Sequence, residues 1–397
     1  MGCREGYGKA KLTTLDGLAE YRSVTEGLEG VVATSTRLSH VDGEAGRLTL
    51  AGYTVEDLAP QASFEEVAHL LLHGRLPEPV ERARFAKDLA GRRPVSPLSI
   101  AVLREAAAAK APPMDALRMT APLLSLGHEE NPLEDAMNAI ASFPTIVRAY
   151  WRLRHGEAPV PVRFDLPHAA HYLHQLFGAE PSAERARALE TYLNTVCDHG
   201  LNASTFAARV IISTRSDLIS AITGAVGALK GPLHGGAPGP ALDMVFEIGT
   251  PDRAETVIRA KLDRSERLMG FGHRIYRVRD PRADVLAQAA ERFYSTGGDQ
   301  SLYDLARKVE ATALRLLHEH KPERRLDTNV EFYTALLLHG LGFPADLFTP
   351  TFAVGRVLGW SAHCLEQLRD GRLIRPQSAY IGPTDLHYDS GPGRAMV

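Results

Sequence analysis

The sequence predicts an all-α protein, and three observations carry that reading. Apolar residues recur with helical spacing along most long segments. Helix-start and helix-stop residues punctuate those segments. Alternating strand patterns are few. Ser63-Phe64-Glu65-Glu66 reads as a capping box, with Ser63 as N-cap and Glu66 three residues on. Phe64, Val67, Ala68, Leu71 and Leu72 then share one buried helix face, and Gly74 and Pro77 stop the helix. Similar helical stretches cover residues 98–111, 183–193, 203–213, 218–229, 303–320, 330–339 and 352–369. The best strand candidate, residues 47–53, reads as a short hairpin.

With 397 residues the chain is too long for one simple core, so two domains or one large helical body are expected. It is 44% hydrophobic and 23% charged, an ordinary globular composition. A net charge of −3 points to neither nucleic acid nor an anionic membrane as partner. No apolar run reaches the length of a membrane span, and the start Met1–Gly6 lacks the apolar stretch of a signal peptide. Gly6 also stands where a myristoylation signal needs Ser or Thr. Cys3, Cys197 and Cys364 are an odd number, far apart and without CxxC spacing, which argues against a disulfide framework or a cysteine zinc site and fits a reducing cytoplasm. The Gly/Pro-rich residues 231–240 and the charged connector 321–327 read as loops between packed units. The tail from Asp385 is polar and rich in Gly and Pro.

Five constellations can carry chemistry. In Asp198-His199-Gly200-Leu201-Asn202-Ala203-Ser204, His199 sits near a helix start, where free N–H groups can meet an anion; a capping or core histidine fits equally well. His234 lies in the Gly/Pro loop, where glycines let the backbone approach a ligand; a solvated turn is the alternative. Residues 270–282, GFGHRIYRVRDPR, frame His273 with glycines and add four arginines, which suits a polyanionic substrate or a solvated basic surface. The dinucleotide fingerprint fails there, because Ile275 stands where the third glycine belongs. Glu331 in Thr328–Tyr333 opens an apolar helix, a position that dipole effects alone would favour. Arg356 interrupts an apolar helix face and needs a carboxylate, either bound or internal; Gly355 and Gly359 beside it read as close helix packing. His168, His171 and His174 look like metal ligands, but helical positions i and i+6 point about 240° apart, so they read instead as a polar helix surface.

Taken together, these motifs resemble the citrate synthase family. The likeness begins at Gly27–Val31 and runs through Ser39–Asp42, Gly52-Tyr53, residues 63–77, His199–Ser204, the GPLHG of 231–235, the GFGH and DPR of 270–282, Asn329–Tyr333, and residues 348–366 and 372–380. The order of motifs matches nearly throughout. The resemblance implies a homodimer of the short type with shared active sites. Its large helical domain spans 1–235 and 336–397, and a small CoA-side domain spans 236–335. It implies that acetyl-CoA condenses with oxaloacetate and water to give citrate and CoA. Glu331 is then the base, His234 the donor to the thioester carbonyl and His273 the donor to the ketone. His199, Arg282 and Arg356 clamp the carboxylates, with Arg375 of the partner subunit. Leu268, Gly270, Phe271, Gly272 and Arg277 meet CoA. No metal or other cofactor is implied.

The chain departs from the family where Glu331 replaces the usual Asp, Thr328 the usual Pro, and Leu50-Ala51-Gly52-Tyr53 a common Tyr-Arg-Gly-Tyr; the last is expected to be a packing difference. Two alternatives stay open on sequence alone. One is 2-methylcitrate synthesis from propionyl-CoA, since one methylene is typically worth about 1–3 kcal/mol of discrimination. The other is a catalytically silent CoA-binding helical dimer, motivated by Glu331.

Overall fold

The computed structural model describes residues 25–126, 131–235, 238–273, 275–324 and 326–384. The expectations placed on Met1–Gly6, on Cys3 and on the tail from Asp385 lie outside these residues, as do Gly236, Ala237, Arg274 and Arg325. Contacts divide the chain into a unit spanning Thr36–Ile374 and a terminal unit, whose described parts are residues 25–35 and 375–384.

The Thr36–Ile374 unit opens with an antiparallel sheet of order β1 (Ser39–Asp42), β2 (Arg47–Leu50) and β3 (Tyr53–Thr54). The expected hairpin is therefore only half of the sheet. The longer pairing sets β2 against β1, with Val41 opposite Leu48. Ala51 and Gly52 close the second turn, both at positive φ (44° and 97°), which matches the twist of a two-residue hairpin.

The rest is helical. The first helices are α1 (Val55–Leu58), α2 (Phe64–His73), α3 (Pro79–Gly91), α4 (Pro97–Ala108), α5 (Pro113–Thr120) and α6 (Pro132–Arg154). Then come α7 (His168–Phe177), α8 (Ala183–Val196), α9 (Ala203–Ser213), α10 (Leu218–Leu229), α11 (Pro238–Ile248) and α12 (Ala254–Asp263). The last are α13 (Pro281–Gly297), α14 (Gln300–His320), α15 (Val330–Gly340) and α16 (Phe348–Asp370). The Ser63 capping box is present in both directions, and Gly74 closes α2 in the left-handed region. The Gly/Pro loop ends sooner than expected, because α11 already starts at Pro238; proline is tolerated in a first helical turn, where its missing N–H costs nothing.

The long helices α6 and α13 escape the periodicity reading. From Asp135 to Tyr150 every α6 residue except Asn138 is buried, so no polar stripe marks the helix, and Pro144 sits inside it. Helix α16 is buried just as broadly and packs on α6, α8, α9 and α10. The surface expected at His168, His171 and His174 is not a surface. His168 and His171 are buried, His168 stacks on Phe64 with ring centroids 4.2 Å apart, and burial pushes His171 down to about 3. Among the described residues no group of three or more His, Cys, Asp or Glu is placed to hold a metal ion. Nor is any described helix long and apolar enough to cross a membrane.

Where α16 crosses α8, Gly359 donates its N–H to the Cys197 carbonyl at 3.1 Å. A Cβ on Gly359 would lie 2.3 Å from that carbonyl oxygen and 2.8 Å from Asp198 Oδ1. Gly355 is similarly close to Val196, so the expected glycine packing is present. Gly359→Ala therefore forces the helices apart. Urea unfolding is expected to show a loss of about 1–3 kcal/mol, as for an overpacked core; an unchanged midpoint would mean that this contact is slack.

Candidate active site

Two of the sequence motifs are zipped together by their backbones. Asn329 N–H donates to the Gly270 carbonyl at 3.0 Å, and Gly272 N–H donates to the Asp327 carbonyl at 2.7 Å. Phe271 and Thr328 form an isolated antiparallel bridge, and Asn329 Nδ2 donates to the Gly272 carbonyl at 2.8 Å. Asn329 also caps α15, accepting the Glu331 N–H at 3.0 Å. The pairing holds the backbone entering His273 beside the helix turn that presents Glu331.

Asp280 then ties His273 into place. It caps α13 through the Arg282 N–H at 3.0 Å and receives Arg282 Nε at 3.0 Å and Nη2 at 2.8 Å. Its Oδ2 also accepts the Val330 N–H at 3.2 Å. Two of the motif's arginines are thus taken by internal carboxylates: Arg282 by Asp280, and Arg279 by Asp284 and Glu310. That corrects the picture of a wholly ligand-facing or wholly solvated basic run. His273 Nδ1 accepts from the Ile275 and Tyr276 N–H groups at 3.0 and 3.1 Å. Burial, helped by the Arg282 charge, lowers its pKa to about 4, so the ring is neutral and carries its proton on Nε2. That Nε2 stands 3.3 Å from Arg282 Nη2. Two donors side by side favour an oxygen acceptor at the same point.

His199 is buried, hydrogen-bonded through Nε2 to the Tyr276 hydroxyl at 3.1 Å, and edge-on to His273 with centroids 5.8 Å apart. Burial and then the charges of Arg282 and Arg356 keep its pKa well below the usual value. Behind it, Asp198 accepts from Ser39 Oγ at 2.5 Å and from His363 Nε2 at 3.2 Å. His363 can donate there because its Nδ1 is occupied by Arg209 Nε at 3.0 Å.

His234 sits in the turn after α10, where its N–H meets the Gly231 carbonyl at 2.9 Å. The next residue must be small, because a Cβ on Gly235 would lie 2.3 Å from the Leu229 carbonyl oxygen. His234 Nε2 is 2.8 Å from Ser204 Oγ, which accepts the Trp360 indole N–H at 3.0 Å. Burial and the Arg356 charge lower the His234 pKa to about 4. Arg356 itself is buried, donates Nε to the Val196 carbonyl at 2.6 Å and lies over the Phe352 ring at 4.5 Å. It forms no ion pair with a described carboxylate, and burial lowers its pKa to about 10. Of the two partners that the sequence left open for Arg356, an internal Asp or Glu at ion-pair distance is therefore absent among the described residues.

Glu331 is partly exposed by area, yet its carboxylate makes no hydrogen bond or ion pair among the described residues. Burial raises its pKa to about 7; Arg282 and Arg356 oppose the rise, and Asp280 adds to it. Thr328, three residues before it, donates to Glu310 Oε1 at 2.7 Å. Glu310 is buried and also collects Tyr333 Oη at 2.5 Å, Arg279 Nη1 at 2.9 Å and Arg307 Nη1 at 2.8 Å. Donors from both sides of Glu331 thus converge on one carboxylate.

The Thr36–Ile374 unit therefore brings His199, His273 and Arg282 into direct contact, and couples His234, Arg356 and Glu331 to them through the field of Arg356. Leu268 and Phe271 are buried, with Phe271 packed on Phe332 at 5.5 Å, while Gly270 and Gly272 lie in the zipper. Arg277 is exposed and holds Gly43 by its backbone. Arg375 is exposed in the terminal unit. Asp280, Asn329, Ser204, Tyr276 and Glu310 were not singled out from sequence. An Asp before Pro281 and an Asn before Val330 are recognisable helix starts; nothing local marks Glu310, which lies 18 residues from Thr328.

Residues 27–377 match the family model described as citrate synthase, C-terminal domain. The citrate synthase of Haloferax volcanii is 42% identical over 373 residues, covering 91% of this chain and 97% of that protein. The 2-methylcitrate synthase of Shewanella oneidensis is 38% identical over 361 residues, covering 90% and 94%. The citrate synthase of Thermoplasma acidophilum, solved as a ternary complex with carboxymethyl coenzyme A and oxaloacetate, superposes with a TM-score of 0.81 at 32% identity, covering 93% and 98%.

Thr328→Val keeps the shape of the side chain but leaves buried Glu310 short of a donor. We expect a loss of about 1–3 kcal/mol, read as a lower urea midpoint with an unchanged slope. A midpoint within error of the parent would show that the other three donors suffice.

Proposed function

This chain belongs to the citrate synthase family, and we propose that it condenses acetyl-CoA with oxaloacetate and water to give citrate and CoA, an acyl transfer of the EC 2.3.3 type. The observation that carries the mechanism is the carboxyl of Glu331, raised to about 7 within the field of Arg282 and Arg356, the same two charges that act on His273 and His234. A thioester methyl is a weak acid. Its proton needs a base on one side and a donor to the developing enol oxygen on the other. Glu331 takes that proton. His234, seated against Ser204, donates to the thioester carbonyl. The enol carbon attacks the oxaloacetate ketone, whose oxygen becomes an alkoxide beside the His273 Nε2–H. Water then cleaves the thioester and releases CoA.

In this reading Arg282, Arg356 and His199 hold the two substrate carboxylates. Asp280 occupies Nε and Nη2 of Arg282, so Nη1 is its free hand toward substrate. Arg375 of the partner subunit, Arg277 toward CoA phosphates and the Leu268–Gly272 backbone complete the assignment. The reading includes a homodimer, a small domain at 236–335 closing on the larger one, and a cytoplasmic location. It runs on acid–base groups alone and calls for no metal or other cofactor. A relative named 2-methylcitrate synthase at 38% identity supports propionyl-CoA as the second reading.

Purified chain mixed with oxaloacetate and either thioester should release free thiol, faster with acetyl-CoA at matched concentrations. Silence with both thioesters sinks the enzyme reading, and a propionyl-CoA preference selects the alternative. His234→Ala should cut turnover by about a hundredfold or more. The base works only when ionised, so kcat/KM should rise with pH through about 7 and fall roughly tenfold per unit well below it. A profile that stays flat from about pH 5.5 to 8 removes Glu331 from the role.

A further inference from the structure

Arg148 lies on α6 and is 1% exposed. Its Nε, Nη1 and Nη2 all lack a hydrogen-bond partner, and no described carboxylate pairs with it. The other large buried arginines are served. Arg93 donates to the Arg163 and Leu166 carbonyls, Arg209 to Glu366 and Gln367, and Arg356 to the Val196 carbonyl. Tyr172 stands beside Arg148, but its hydroxyl is bonded to Thr351 at 2.9 Å and lies outside hydrogen-bonding geometry to the guanidinium. Burial lowers the Arg148 pKa to about 10, which leaves it charged at neutral pH. The Phe343 ring lies 5.9 Å from the guanidinium, but a ring supplies no hydrogen-bond acceptor in the plane of the fork, and a buried charge without one is costly enough to demand it.

Two neighbours share the condition. Thr145 Oγ1, three residues earlier on α6, and Gln175 Oε1 on α7 are buried and without partners. All three side chains line one cavity of about 230 Å³, whose other walls include Val95, Ile100, Pro159 and Val160. The catalytic residues do not line it. We propose that this cavity is a second, non-catalytic anion site that takes a short-chain monocarboxylate. The carboxylate would accept from the Arg148 fork and the Thr145 hydroxyl, and the Gln175 amide can turn its NH2 to the same point. The short apolar tail would lie on the Val, Ile and Pro wall.

The charge count and the walls favour that ligand over phosphate or a dicarboxylate. One guanidinium neutralises one negative charge, and a second would lie unpaired against aliphatic side chains. The next cation on the helix, Arg152, is taken by Glu157 at 3.0 Å and the Ala158 carbonyl. The volume is below the roughly 300–1,000 Å³ of pockets for drug-sized ligands, so the occupant is small.

Thermal unfolding of the full chain in potassium propionate, potassium phosphate and potassium chloride at equal ionic strength tests the site. Propionate should raise Tm by about 3–5 °C at a hundredfold excess over its Kd, and phosphate should match chloride. Arg148→Met should abolish the propionate shift and raise the Tm of the anion-free protein. If Arg148→Met does not fold, Thr145→Val should cut the propionate shift at least in half. The assignment is overturned if phosphate equals propionate, if propionate matches chloride, if the shift survives in Arg148→Met, or if more than half of it survives in Thr145→Val.

Discussion

The buried pair of Asp280 and Arg282 is the constraint on which the rest of the site depends. A carboxylate withdrawn from water needs every lone pair occupied, and Asp280 meets that need with the Arg282 fork, the first free N–H of α13 and the Val330 N–H that opens α15. One side chain thus joins the starts of two helices and orients the guanidinium beside His273. Losing either partner of such a pair typically costs about 3–5 kcal/mol, because the other charge is stranded. Its value to the site is geometric. The helix start that presents Glu331 and the arginine that lies against His273 are fixed to the same carboxylate.

Burial then sets the chemistry. His199, His234 and His273 all lose their tendency to protonate, chiefly through desolvation and then through the arginine charges beside them. Neutral imidazoles donate hydrogen bonds without giving up their protons, which suits the oxyanion-stabilising role proposed for His234 and His273. Desolvation acts in the opposite sense on Glu331. It raises a carboxyl to about 7 while two arginines nearby keep the rise in check. A base poised near neutral pH and donors that stay neutral thus arise from the same dry surroundings.

The family departures at Thr328 and Glu331 lie on either side of one turn. Proline could not donate to Glu310; threonine does, and it joins Tyr333, Arg279 and Arg307 on that carboxylate. The loop carrying the longer carboxylate of Glu331 is therefore anchored by a side-chain network as well as by its backbone zipper. At Ala51 the departure sits in a positive-φ hairpin turn, a matter of packing and turn geometry.

Helical periodicity, capping residues and glycine-framed motifs were enough to determine the all-α class, the limits of α9 and α10, and His234 and His273 as site candidates. These are local signals, carried by residues within a turn or two of each other. Glu331 became a site candidate only through the resemblance of the whole motif set to a family. Helix α6 was illegible because burial on all sides erases the polar stripe that marks a helix. The His168 face was misread because spacing gives the direction of a side chain but not what packs over it. Which arginines are taken by internal carboxylates, which nitrogen of His273 accepts from the backbone, and that Glu310 stands behind Thr328 were decided only by the tertiary structure. Each depends on groups far apart in the chain meeting within about 3 Å in a place with no water to replace them.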